Sequence, residues 1–262
     1  MLEVILFKLV NSKEEVFFNT KVKMFPNGVD MLTTSSRPVY KAKGYELHDN
    51  GISNRPTTYD TESESRANNL YASRNKVFDI AYMNKFQLFV TLTLDKEKIN
   101  RYDRGEIKAK LKTWLKNKVA RNNLKYLFIP EEHKDGAIHM HGLISGDLKL
   151  VDSGKKDDKG RTIYNLPEWK YGFSTAVFID NGAEFVSKYV TKYITKDCKK
   201  IFGNYYYAGG DIVRDVPTRL ENRDYDAIDA KEYTVEEANA SFKYYSEDSE
   251  LLKLTRTIEN LN

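Results

Sequence analysis

The stretch "LKYLFIPEEHKDGAIHMHGLIS", residues 124–145, constrains the fold more than any other part of the chain. Two apolar runs flank Asp135-Gly136, a dipeptide that reverses a chain between antiparallel strands. A hairpin cannot bury its apolar side chains alone, so neighbouring strands must extend it and helices must cover it. The flanking sequence supplies both. "QLFVTLTLD" (87–95) and "FSTAVFID" (173–180) read as buried strands, and "NYYYAGG" (204–210) as a final one. "ESRANNLYASRNKVFDIAYMNKF" (64–86) has helical composition. Asp103, with Glu106 three residues on, forms an N-cap and capping box, after which Ile107, Leu111, Trp114, Leu115 and Val119 recur on one helical face opposite a lysine-rich one. "GAEFVSKYVTKYITKD" (182–197) reads as a further helix. This order predicts an α+β domain, a central antiparallel β-sheet with helices packed on one side of it.

The rest of the chain is organised around that domain. Residues 1–62 are expected to form an accessory segment. It contains two strands, "LEVILFKLV" and "EVFFNTKVKMF", then a polar, turn-rich connector from Pro26-Asn27-Gly28 to about Thr61. Residues 63–215 form the domain proper, with "GDLKLVDSGKKDDKGRTIYN" (146–165) as a polar insertion. Residues 216–262 read as an acidic, partly helical tail. From Asp224 onward ten acidic residues face four Lys/Arg, which leaves 38 basic against 28 acidic in residues 1–223. A body carrying about +10 suits a polyanionic partner. The first residues carry Glu3 and Lys8 within a short apolar run, unlike a signal peptide or a membrane span, so the expected location is the cytoplasm. The single cysteine, Cys198, excludes an intramolecular disulfide framework and a cysteine-based zinc cluster, and is read as inert.

Within the hairpin, His139 and His141 project from one face of a strand, about 7 Å apart, while Met140 points to the other. Two imidazoles so placed can converge on one metal ion. The partner carboxylate depends on the turn. A two-residue turn sets Glu132 opposite His139, whereas a three-residue turn with Gly136 in the left-handed conformation sets Glu131 there. Both registers are open on sequence alone. A glutamate with two histidines is a mixed oxygen and nitrogen set that suits Mg²⁺, Mn²⁺ or Zn²⁺.

The second constellation is "KYVTKYITK". At 100° per residue, Phe185, Tyr189, Lys192, Tyr193 and Lys196 share an arc, flanked by Val186, Val190 and Ile194. The apolar flank docks on the sheet and leaves two tyrosines at its border, each followed by a lysine three residues on. A phenol of pKa about 10 needs a nearby cation and a polarised phosphorus to act as a nucleophile. The lysines supply the first and a metal on the His-x-His strand the second.

"FVTLTLD", "IHMHGLI" and "YVTKYITK", in this order, resemble three motifs of the HUH endonucleases, specifically the rolling-circle replication initiators of small single-stranded DNA phages and related elements. The resemblance covers roughly residues 65–212. It implies an RRM-like or ferredoxin-like arrangement, and a divalent metal, Mg²⁺ or Mn²⁺, held by His139, His141 and an acidic residue. That residue often stands eight positions before the first histidine, which selects Glu131 and leaves Glu132 as an alternate. Tyr189 and Tyr193 become candidate nucleophiles, Lys192 and Lys196 their cationic helpers, and Thr91 and Thr93 supporting residues on the neighbouring strand. Two tyrosines four apart resemble the microvirus gene A type.

The resemblance implies metal-dependent nicking and joining of single-stranded DNA at a replication origin, leaving a 5′-phosphotyrosine and a free 3′-OH. A plasmid-mobilisation relaxase, a transposase of the same superfamily, and a non-catalytic binder of single strands are the alternatives. No Walker A sequence is present, so unwinding and synthesis fall to a separate helicase and polymerase of the host, in the bacterial cytoplasm if the chain is phage-encoded.

Overall fold

Side-chain alternation in the hairpin decides which residues face which layer. The computed structural model describes residues 17–26, 30–40, 62–179, 189–194, 198–222, 231–235 and 240–245. It divides into two units, Thr58–Asp215 and a second made of Met1–Thr57 with Val216–Asn262.

The Thr58–Asp215 unit is built on a seven-stranded antiparallel sheet, so its class is the α+β one expected. Its strands are β3 (Leu88–Leu94), β4 (Lys125–Glu132), β5 (Ile138–Ser145), β6 (Val151–Lys156), β7 (Thr162–Asn165), β8 (Gly172–Phe178) and β9 (Tyr207–Gly209), in the spatial order β6-β7-β8-β3-β5-β4-β9. Helix α1 spans Glu62–Met83 and helix α2 Arg104–Asn122. Asp103 caps α2 as the sequence requires, its carboxylate accepting from the Glu106 N–H at 2.9 Å.

Helices cover both faces of this sheet, a departure from the expected one-sided arrangement. Leu88, Val90, Leu92 and Leu94 of β3, with Phe128, Ile138, Met140 and Ile144, pack under Ile107, Leu111, Trp114 and Leu115 of α2. Leu127, Ile129 and Leu143 face the other way and pack with Val77, Ile80 and Ala81 of α1 and with Val190 and Ile194. The reason lies in "YLFIP", an unbroken apolar run that presents apolar side chains to both sides, as doubly covered strands do. One glycine makes the hairpin fit: a Cβ at Gly142 would stand 2.5 Å from both the Leu127 carbonyl oxygen and the Phe128 ring.

Three sequence expectations are corrected here. The "polar insertion" forms the β6–β7 hairpin, which extends the sheet through β8. The connector expected from Pro26 onward contains an eleven-residue strand, β2 (Asp30–Tyr40), whose "DMLTT" start supplies the β-branched and apolar residues. The tail expected to be partly helical carries strands β10 (Thr218–Glu221), β11 (Lys231–Val235) and β12 (Ala240–Tyr245), rich in the aromatic and β-branched types that suit strands. With β1 (Phe17–Met24) and β2 they form the second unit's five-stranded sheet, β10-β1-β2-β12-β11. Val22, Met31 and Leu32 are buried there, and the Thr20 and Thr34 hydroxyls meet at 2.9 Å. The strand expected in "LEVILFKLV" lies outside the described residues.

Candidate metal and tyrosine site

Register across the β4–β5 turn selects one of the two glutamates. The Gly136 N–H donates to the His133 carbonyl at 2.8 Å, the His133 N–H donates to the Ala137 carbonyl at 2.9 Å, and Gly136 has φ +82°. This is the three-residue turn with a left-handed glycine. It pairs Glu131 with His139 and Glu132 with Ile138. Glu131 therefore shares a face with the histidines and Glu132 does not. The Glu132 carboxylate accepts from Arg104 at 3.0 Å and from Lys199 at 2.9 Å. Those cations, Lys199 foremost, hold it below the usual carboxylate range.

His139 and His141 are half-buried on the face of Leu143, while Met140 is buried on the opposite one. The His141 Nε2 lies 2.8 Å from Glu131 Oε2. On β3, Thr91 is paired with His141 and Thr93 with His139. Thr91 Oγ1 stands 3.1 Å from His141 Nδ1, and Thr93 Oγ1 stands 3.5 Å from His139 Nδ1. A hydroxyl donates or accepts, so each threonine can serve either imidazole tautomer. Burial lowers the pKa of both histidines, outweighing for His141 the carboxylate beside it. Both rings are thus biased toward the neutral form that ligates metal.

The donor set fits a divalent cation. The facing atoms of Glu131 and His141 lie about as far apart as two ligands of one ion, and Nδ1 engagement by threonine leaves Nε2 as the ligating nitrogen. His139 is turned instead toward His133, the two rings stacked at 3.7 Å. Accordingly, among the described residues no three His, Cys, Asp or Glu side chains already surround a single ion position. Completing the set requires the His139 ring to leave that stack.

The tyrosines approach the same face. Tyr189 and Val190 are helical, and Thr191–Tyr193 tighten into a 3₁₀ turn closed by the Ile194 N–H on the Thr191 carbonyl at 3.0 Å. Val190 and Ile194 are buried among Leu127, Ile129 and Leu143, which fixes the turn on the sheet. The Tyr193 ring stacks on His141 at 4.1 Å and 11°. Its hydroxyl donates to the Tyr189 hydroxyl at 3.4 Å. Burial above all, helped by Tyr189 and Glu131, pushes the Tyr193 phenol well above its ordinary pKa. Lys192 places its ammonium 5.0 Å from the centre of the Tyr189 ring. Lys196, and the expected helix at 180–188 and 195–197, lie outside the described residues.

Two contacts escaped the sequence reading. Phe89 meets Tyr189 edge-on at 5.1 Å and stacks near Tyr193 at 6.1 Å, so it supports both rings from β3. Its position two residues before Thr91, on the same face, was the available signal. His133, expected to be in the turn only, stacks on His139. Glu131, His133, Tyr193, Cys198 and Lys199 line a cleft of about 440 Å³ beside the site.

Fold and site together define an α+β unit that sets two histidines and a carboxylate against a pair of tyrosines on one sheet face. Residues 87–197 match the model of a family of replication-associated proteins, that of ORF2 and the gene 2 protein. No curated protein and no solved structure matches the chain. The family match supports a replication-associated initiator, with DNA as its partner. Among the described residues no helix is long and apolar enough to cross a membrane.

Proposed function

We propose that the chain initiates rolling-circle replication by nicking and rejoining a specific single strand of DNA, with Tyr189 or Tyr193 as nucleophile. The observation that carries this reading is the meeting of Glu131, His139 and His141 with both tyrosines on one face of the sheet. In the nicking step a phenol oxygen bonds to phosphorus and the P–O3′ bond breaks. The phenol gives up its proton and the departing 3′-oxygen takes one up. Glu131, His139 and His141 would hold Mg²⁺ or Mn²⁺, which when bound neutralises phosphate charge and stabilises the charge that develops in the transition state. Thr91 and Thr93 orient the imidazoles, and Lys192 lies where it favours a phenolate on Tyr189. Attack by a 3′-OH on the phosphotyrosine reverses the bond changes and rejoins the strand.

The test is to tile the single strand of the replicon that encodes the chain as oligonucleotides, incubate them with the full-length protein and Mn²⁺, and map any covalent adduct. An EDTA-sensitive adduct on the peptide bearing Tyr189 and Tyr193 is expected. Cleavage that persists in EDTA, or the lack of any adduct across the whole strand, would overturn the proposal.

A further inference from the structure

Phe173 is 65% exposed, an unusual state for a large apolar side chain in a strand whose neighbours Ser174 and Ala176 are buried. Isolated exposed apolar residues are common on protein surfaces and by themselves mean little. The place of this one sets it apart. In register across the sheet, Glu131 pairs with His139, His139 with Thr93, and Thr93 with Phe173. These four residues form one row on one face, at right angles to the strands. Two strand spacings separate Phe173 from His139, roughly 10 Å.

The surroundings of the ring agree with a role in binding. Thr175, two residues along β8 on the same face, is also exposed, so the floor running from the histidines toward β8 stays open there. Lys98 holds its ammonium 6.0 Å from the centre of the Phe173 ring, with Asp95 3.8 Å away on its other side. An exposed aromatic face beside a cation is the pairing by which proteins hold single strands, a base on the ring and a phosphate on the charge.

Resting on the proposed function, we infer that Phe173 is a stacking platform for a base of the bound single strand, within a nucleotide or two of the phosphate held at Glu131, His139 and His141. Lys98 contacts the backbone beside that base. The ring reads no sequence, because every base offers a π-face. It fixes how the strand lies across the sheet and so which phosphate reaches the tyrosines.

The experiment uses the full-length protein in two assays: affinity for a fluorescent dT20 strand, and adduct formation on the tiled replicon strand with Mn²⁺. Phe173→Ala should weaken dT20 binding roughly five- to a hundredfold, the range of one lost base stack, without changing the dependence on salt. Phe173→Trp should bind like the native protein, whereas Phe173→Leu, apolar but without a π-face, should bind like the alanine variant. Lys98→Ala should instead lower the salt slope by about 0.7. Native-like dT20 affinity in Phe173→Ala or Phe173→Leu overturns the inference, and if adduct formation persists the nicking proposal still stands. The loss of dT20 affinity in Phe173→Ala alongside native protein that forms no adduct has the opposite meaning: the platform is upheld and the nicking proposal falls.

Discussion

Replacing Thr91 by valine tests the site with the least disturbance to the fold. Valine keeps the β-branched shape on the central strand β3 and removes only the hydroxyl 3.1 Å from His141 Nδ1. When His141 binds metal through Nε2, its proton must sit on Nδ1, and in the variant that N–H points at a methyl group. A buried donor left without a partner costs about 1–3 kcal/mol, and loss of such an outer partner typically costs about 10–100-fold in metal affinity. In a Mn²⁺ titration of adduct formation, the half-saturating concentration for Thr91→Val should rise by at least about tenfold, with the rate at saturation nearly kept. Thr91→Ser retains the hydroxyl and should behave as native. Thr93→Val should shift less, because its contact to His139 is 3.5 Å, at the limit for a hydrogen bond. An unchanged half-saturation in Thr91→Val, or a larger shift in Thr93→Val, would refute the argument that the threonines set the imidazole tautomer.

Glu131→Ala should abolish the adduct, whereas Glu132→Ala, which frees Arg104 and Lys199 on the other face, should leave it formed; the same adduct assay separates them. Phe at both Tyr189 and Tyr193 should eliminate the adduct, and between the single variants Tyr189→Phe should slow first cleavage more, since the Tyr193 proton is held by burial and spent on Tyr189. Rate against pH should stay level as pH falls through about 6.5, the ordinary histidine value, and decline only below it, because burial lowers the pKa of both imidazoles and keeps them neutral to lower pH; a decline centred above 6.5 would contradict this. Gly142→Ala forces a Cβ against Leu127 and Phe128 and should cost about 1–3 kcal/mol, read by calorimetry as a melting temperature lower by roughly 2–4 °C per kcal/mol.

Local signals made much of this unit legible. The Asp103 cap, the apolar face of α2 and the alternation around Met140 are set by neighbours in sequence, and they appear where alternation and capping place them. The choice between Glu131 and Glu132 was not local in that sense. Both candidate turns suit Asp135-Gly136, and only the left-handed φ of Gly136 distinguishes them. β2 and the strands after Asp215 were harder to read because their partners lie far away in the chain. Thr33 and Thr34 pair with Tyr244 and Lys243, and no window of sequence contains both sides of that ladder. The tyrosine segment was misread in degree. Its period of four suited an α-helix, yet Thr191–Tyr193 adopt the tighter 3₁₀ turn that brings the two hydroxyls to 3.4 Å.

Pro130 has an effect of its own on the cleft. In β4 the residues of odd number exchange hydrogen bonds with β5, as the His133 and Ala137 pair shows, so those of even number turn their amides outward. Tyr126 and Phe128 face β9 in this way, and β9 reaches no farther than the partner of Phe128. The next outward position is Pro130, which has no N–H to offer. The ladder therefore ends one step short of Glu131, and the border of the sheet stays unzipped where the cleft toward Tyr193 and Lys199 begins. A missing hydrogen at one residue guards this border against an added strand, leaving the way past Glu131 to a chain that binds without a backbone ladder, as a nucleic acid does.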